Sequence, residues 1–172
     1  GIPVIMLHGA SLGSSADVFE RHMSPLAAAG FRAVAYDQPG FGLSDAPEDY
    51  TLDYRIRFLP RFMNAIGVDK AALIGHSQAG GMVVQTALDH PDRVVKVLVV
   101  CSGGLLQGLP GFATPAAAAS ETKSAPPTLE DSRKLLESNL YHKELITPEV
   151  LEKRHSMSLG RNLETFQERQ RV

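Results

Sequence analysis

Four short, largely apolar runs punctuate the first hundred positions: residues 3–7, 31–36, 70–74 and 94–100. Their length and lack of polar alternation predict strands buried on both faces. Between them, residues 18–29 and 51–66 place apolar side chains at three- and four-residue steps, which predicts amphipathic helices. Asp17 stands where an N-cap would open the first helix, and Gly30 and Gly67 stand where glycine ends helices. A third helix is predicted over residues 78–88, directly after the third run. Apolar strands alternating with helices predict a parallel sheet covered on both faces.

The pattern changes after Cys101. Residues 109–127 are rich in proline, alanine and small polar residues without a usable period, and the stretch 113–127 predicts a mobile hinge or lid loop. Three helical segments follow, over residues 129–140, 148–159 and 162–172. Thr128 and Thr147 sit at N-cap positions, and Pro148 at a first helical position. The chain therefore divides at residue 102 into a strand–helix part and an all-helical part, with no internal repeat.

Composition narrows the classes. Apolar residues make up 44% and charged residues 21%, as in an ordinary soluble domain. A formal charge of −2 gives no electrostatic footprint for nucleic acid or an anionic membrane. No apolar stretch approaches the roughly 20 residues that span a bilayer. Cys101 is the single cysteine, which excludes an intrachain disulfide framework and fits the cytoplasm. Its place at the end of an apolar run predicts a small buried core residue.

The chemistry concentrates at Gly75-His76-Ser77-Gln78-Ala79-Gly80-Gly81, at the junction of a predicted strand and helix. A serine at such a turn has the form of a nucleophile elbow, its hydroxyl held clear of the backbone. Gly75 keeps the approach bare, Ala79 stands where a second glycine is usual, and Gly80 and Gly81 are expected to let the helix pack closely. The helix aims its first N–H groups at the place where an oxyanion would develop. A phosphate-binding turn is the competing reading, but no lysine follows at P-loop spacing.

Three separated motifs carry a resemblance: His8-Gly9-Ala10, Asp37-Gln38-Pro39-Gly40-Phe41-Gly42-Leu43-Ser44, and the Ser77 elbow. With His90-Pro91-Asp92-Arg93-Val94, they make residues 1–101 resemble the α/β-hydrolase superfamily. Within it, the chain is similar to the carbon–carbon bond hydrolases that cleave meta-ring-fission products of aromatic compounds. That likeness rests on Ser102-Gly103-Gly104 and on Leu140-Tyr141, Glu144-Leu145-Ile146-Thr147 and Leu151-Glu152-Lys153-Arg154. The loop Ala10-Ser11-Leu12-Gly13-Ser14 departs from the family's more glycine- and proline-rich version.

The resemblance implies an α/β-hydrolase fold, with a core over residues 1–102 and a helical lid over 103–172. Ser77 would be the nucleophile, or would position the attacking water. The backbone N–H groups of Gln78 and Ala10 would form the oxyanion hole, and Arg154 would bind the carboxylate or dienolate end of the substrate. Gly9, Ser11 and Phe41 would complete the substrate contacts. The substrate would be a small vinylogous 1,5-diketone acid, ketonised and then cleaved hydrolytically without metal or organic cofactor. Association into homo-oligomers is left open.

A serine nucleophile needs a base and an orienting acid, which in this superfamily follow it in chain order. Residues 101–103 offer no carboxylate. His8 and His76 read as structural, His22 and His90 as surface residues, and His142 and His155 belong to the lid. The expectation is therefore an internal piece of a longer enzyme, short at both ends. Two alternatives stay open: a carboxylesterase or lactonase of the same fold, and a non-catalytic ligand-binding member or inactive fragment. An Arg154 facing solvent would favour the ester substrate. Asp37 reads as a turn-shaping residue rather than a catalytic one.

Overall fold

The computed structural model describes residues 1–106 and 125–171. The predicted hinge over 113–127 lies, as far as residue 124, outside them. Four strands form one parallel sheet: β1 (Pro3–Leu7), β2 (Arg32–Ala35), β3 (Ala71–His76) and β4 (Val94–Val100), in the spatial order β2-β1-β3-β4. Crossover helices α1 (Glu20–Ala28), α2 (Leu52–Ala65) and α3 (Gln78–Asp89) join them. After residue 125 come α4 (Leu129–Asn139), α5 (Pro148–Ser156) and α6 (Arg161–Arg169).

Strand alternation sorts the core into two layers. Ile5, Leu7, Ala71 and Leu73 point toward α2 and α3, where Leu59, Met63, Met82 and Val83 are fully buried. Val4, Met6, Ala72 and Ile74 point the other way, toward Phe19, Met23 and Leu26. The caps at Thr51, Thr128 and Thr147 form as their positions predict: each side chain accepts a backbone N–H, and Thr128 pairs reciprocally with Asp131 in a capping box.

Four expectations change. Asp17 does not cap α1, because the chain enters it through a 3-10 turn (Ala16–Phe19); Asp17 instead pairs with Lys153 of α5 at 2.9 Å. The third strand runs on to His76, so strand geometry leads straight into the serine. Cover on both faces fails at β4, where Val95, Val97, Leu98, Val99 and Val100 are all exposed. Among the described residues no further strand pairs with β4, and α1 packs over β1 and β2 instead. Cys101, at the end of that open strand, is exposed rather than buried and adopts φ 51°.

Candidate active site

Ser77 joins β3 to α3 with φ 56° and ψ −126°, a conformation that few non-glycine residues adopt. The surroundings hold it there: its N–H donates to Val100 O at 2.8 Å, and its carbonyl accepts from Gly80 N at 3.0 Å. Gly75 is required, since a Cβ at that position would lie 2.3 Å from Ala79 O. Gly80 is required as well, because a Cβ there would meet Ser102 Cβ at 2.4 Å. Gly81 corrects the expectation of close packing: a Cβ there would meet nothing within 4 Å.

The loop after β1 runs against the serine. A Cβ on Gly9 would lie 3.0 Å from Ser77 Cβ, a tight contact that glycine avoids. Ala10 follows at once, and Gln78 supplies the first N–H of α3, which no residue within the helix can satisfy. The fold thus sets Gly9 against Ser77, with Ala10 next on that loop and Gln78 next after the serine.

Beneath this turn lies a buried polar chain. The His8 ring donates through Nδ1 to Gly9 O at 2.7 Å and accepts through Nε2 from Gln38 N–H at 3.1 Å. Burial, the largest influence, pushes its pKa down to about 4. With Nε2 occupied and the ring fully enclosed, His8 is not available as a base. His76 is also shifted downward by partial burial. Asp37 accepts from Ala16 N and Leu43 N at 2.6 and 2.8 Å, the expected turn-shaping role.

Arg154 of α5 turns inward. Its Nη2 donates to Ser11 Oγ at 3.0 Å, and its Nε is enclosed without a partner. Desolvation lowers its pKa to about 10, which still leaves it cationic at neutral pH. Gly13, at φ 74°, makes room for it: a Cβ there would come within 3.1 Å of Arg154 Nε. Arg154, Ser11, Gly9 and His76 all border a cavity of about 750 Å³ that continues along the sheet past Met6, Ile74, Leu98 and Val100. Ser77, Gln78, Ala10 and Phe41 are not among its walls. Phe41, expected at the substrate, is buried between the His8 edge (centroids 4.9 Å apart) and the Arg169 guanidinium (3.7 Å from the ring). Arg169 and Thr165 of α6 both donate to Gly40 O, at 2.7 and 2.9 Å, and so fasten α6 to this turn.

Among the described residues none of the remaining histidines hydrogen-bonds to Ser77, though His22, expected at the surface, borders the cavity. His142 contacts Glu144 at 2.8 Å, and His155 joins α5 to α4 through Ser132 at 3.1 Å. His22 is exposed on α1 and packs on Phe19.

Sequence reasoning missed Arg55 and Gln38. Arg55 is 4% exposed and donates to Gln78 Oε1 at 2.5 Å and, at a longer 3.5 Å, to Gln38 Oε1. The signal was present: residues 55, 59 and 63 fall at four-residue steps, which puts Arg55 on the buried stripe of α2 with Leu59 and Met63.

A parallel sheet, right-ordered crossover helices and a strained serine elbow facing a glycine loop define the α/β-hydrolase class. The family described as alpha/beta hydrolase fold matches residues 2–172, and the chain belongs to it. Within that family it is 34% identical over 158 residues to the 2-hydroxy-6-oxo-6-phenylhexa-2,4-dienoate hydrolase of Burkholderia cepacia, covering 90% of this chain and 55% of that one. It is 31% identical to the 2-hydroxy-6-oxononadienedioate/2-hydroxy-6-oxononatrienedioate hydrolase of Burkholderia vietnamiensis, covering 95% and 59% respectively. A solved structure of a variant of the meta-cleavage product hydrolase of Pseudomonas fluorescens IP01 superposes with TM-score 0.78 at 28% identity, covering 99% of this chain and 64% of that one. The chain thus spans less than two thirds of the length of these relatives.

Proposed function

We propose that the protein acts as a serine-dependent hydrolase that breaks a carbon–carbon bond in a 2-hydroxy-6-oxo-dienoate, with residues 103–172 serving as a lid above Ser77. The observation that carries this reading is Arg154: a half-buried cation bordering the cavity, tethered to Ser11 and with one enclosed N–H unpaired. An arginine that borders the cavity in this way is suited to a carboxylate or dienolate bound there. A plain ester or lactone offers it no such group.

The reaction divides between the two ends of the site. After the substrate ketonises, an oxygen nucleophile, the Ser77 hydroxyl or a water that it positions, attacks the ketone carbon. Its proton passes to a general base. The resulting oxyanion is held by the N–H groups of Gln78 and Ala10. Collapse of this adduct breaks the carbon–carbon bond, and the electron pair moves into the conjugated keto-acid end, where Arg154 offsets the charge until a proton is taken up. Where Ser77 itself attacked, water then hydrolyses its acyl ester. The substrates named for the two Burkholderia relatives have this form.

Purified protein assayed against 2-hydroxy-6-oxo-6-phenylhexa-2,4-dienoate and p-nitrophenyl butyrate decides between the readings. The dienoate is expected to have the higher kcat/KM, by on the order of a hundredfold, as sites built around a polar substrate group discriminate against analogues lacking it. The reverse order supports a carboxylesterase instead.

A further inference from the structure

We propose that Arg55 is the positioning residue of the oxyanion hole, linking the two loops that supply its N–H donors. This rests on the reading of Gln78 and Ala10 as those donors. The loops follow neighbouring strands, one after β1 and one after β3, and each leaves the sheet before reaching its donor.

The linkage can be followed atom by atom. Gln38 holds the first loop at two points: its backbone N–H donates to His8 Nε2 at 3.1 Å, and its side-chain Nε2 donates to His8 O at 2.6 Å. His8 stands two residues before Ala10. The Gln38 amide is thereby oriented with Oε1 toward α2, where Arg55 Nη1 donates at 3.5 Å. The other arm of the guanidinium, Nη2, donates to Gln78 Oε1 at 2.5 Å. His8 and Gln38 are fully enclosed and Arg55 nearly so. One planar fork therefore ties Gln38, which holds the first loop through His8, to Gln78 of the second, a geometry that guanidinium offers and ammonium does not.

The electrostatics argue that this is more than packing. Arg55 has no carboxylate partner among the described residues, and burial lowers its pKa to about 10. Its Nε has no acceptor either. A buried cation without a counter-charge is costly to keep, and an apolar side chain on the same helical stripe would serve the core better. What the guanidinium provides is a charge-assisted bond to the residue after the nucleophile, which fixes that residue's N–H and adds positive potential near the developing oxyanion.

The test uses Arg55→Met, Arg55→Lys, Gln78→Met and the Arg55→Met/Gln78→Met double variant. Gln78→Met keeps the backbone donor but removes the shorter acceptor of Arg55, so thermal denaturation of each variant accompanies its kinetics. Each methionine variant is expected to lose about ten- to a hundredfold in kcat with KM within about twofold, less than the ~10²–10³ of deleting an oxyanion donor. The double variant is expected to be no slower than the worse single variant, because both cut one link. Arg55→Lys, able to reach only one amide, is expected to recover part of the loss. In 15N relaxation the Gln78 amide is expected to be rigid in the wild type and more mobile in both methionine variants. Multiplying losses in kcat, or unchanged kcat and Gln78 relaxation with lowered thermal stability, would overturn the proposal. Should the wild type turn over neither the dienoate nor an ester, the proposed function falls. The relaxation measurement still decides the role of Arg55.

Discussion

At the residue scale, three side chains carry the account in different ways. Ser77 was legible because glycine and alanine spacing around a serine encodes a turn; its φ of 56° is the physical expression of that spacing. Arg154 was legible only through resemblance, since sequence alone leaves an arginine beside Lys153 as a solvated pair. The structure separates the two, sending Lys153 to Asp17 and Arg154 to the cavity. Arg154→Gln is expected to lower kcat/KM for the dienoate by about a hundredfold, the scale of a lost bidentate charge contact. Activity on p-nitrophenyl butyrate should change by less than about threefold; steady-state kinetics on both substrates check this. His8 makes a different prediction. Its folded pKa of about 4 lies below the ordinary 6.5, so the unfolded chain binds a proton that the folded protein refuses. Stability should therefore be level above about pH 7 and fall as pH drops from 6.5 toward 4, by up to roughly 3 kcal/mol from this group. His76, shifted the same way, adds to the slope. Urea unfolding midpoints between pH 5 and 8 would show it, and a midpoint rising on acidification would contradict it.

At the scale of elements, strands and helices were readable because each is specified by its own pattern of apolar residues. What escaped was decided by neighbours in space. Asp17 has the chemistry of an N-cap, yet the 3-10 turn and Lys153 take it elsewhere. Gly80 and Gly81 look equivalent in sequence and differ completely in surroundings: Gly80 faces Ser102 and Val99, and Gly81 faces open space. Gly81→Ala is accordingly expected to raise stability by about 0.5–1 kcal/mol, the helix-propensity gain alone. Gly80→Ala is expected to destabilise by about 1–3 kcal/mol, as overpacking does, and to slow catalysis by shifting α3 beneath Ser77. Thermal denaturation of the two variants gives the comparison, and equal effects would refute the packing argument.

At the scale of the whole molecule, the parallel sheet followed from the strand–helix alternation, but its order β2-β1-β3-β4 and the exposure of β4 did not. A run of valines reads as buried wherever it occurs, and cover is a property of what packs against it. Five large apolar residues on this open strand, beside a cavity of about 750 Å³, form a surface that invites edge-to-edge pairing. Residues 1–172 prepared alone are expected to self-associate in sedimentation velocity, and Val97→Lys to reduce that association. Among the described residues, no helix is long and apolar enough to cross a membrane. The linkage of Gln38, Arg55 and Gln78 was invisible for a related reason: it joins residues 17 and 23 positions apart through a single buried cation. Only the periodicity of α2 hinted at it. The central claim is that Ser77 performs carbon–carbon bond hydrolysis, and its most direct test is kcat/KM on 2-hydroxy-6-oxo-6-phenylhexa-2,4-dienoate for the wild type and Ser77→Ala. The account predicts turnover by the wild type and a loss of at least ~10³ in the variant, as for other essential serine nucleophiles. Equal rates in the two proteins would contradict it.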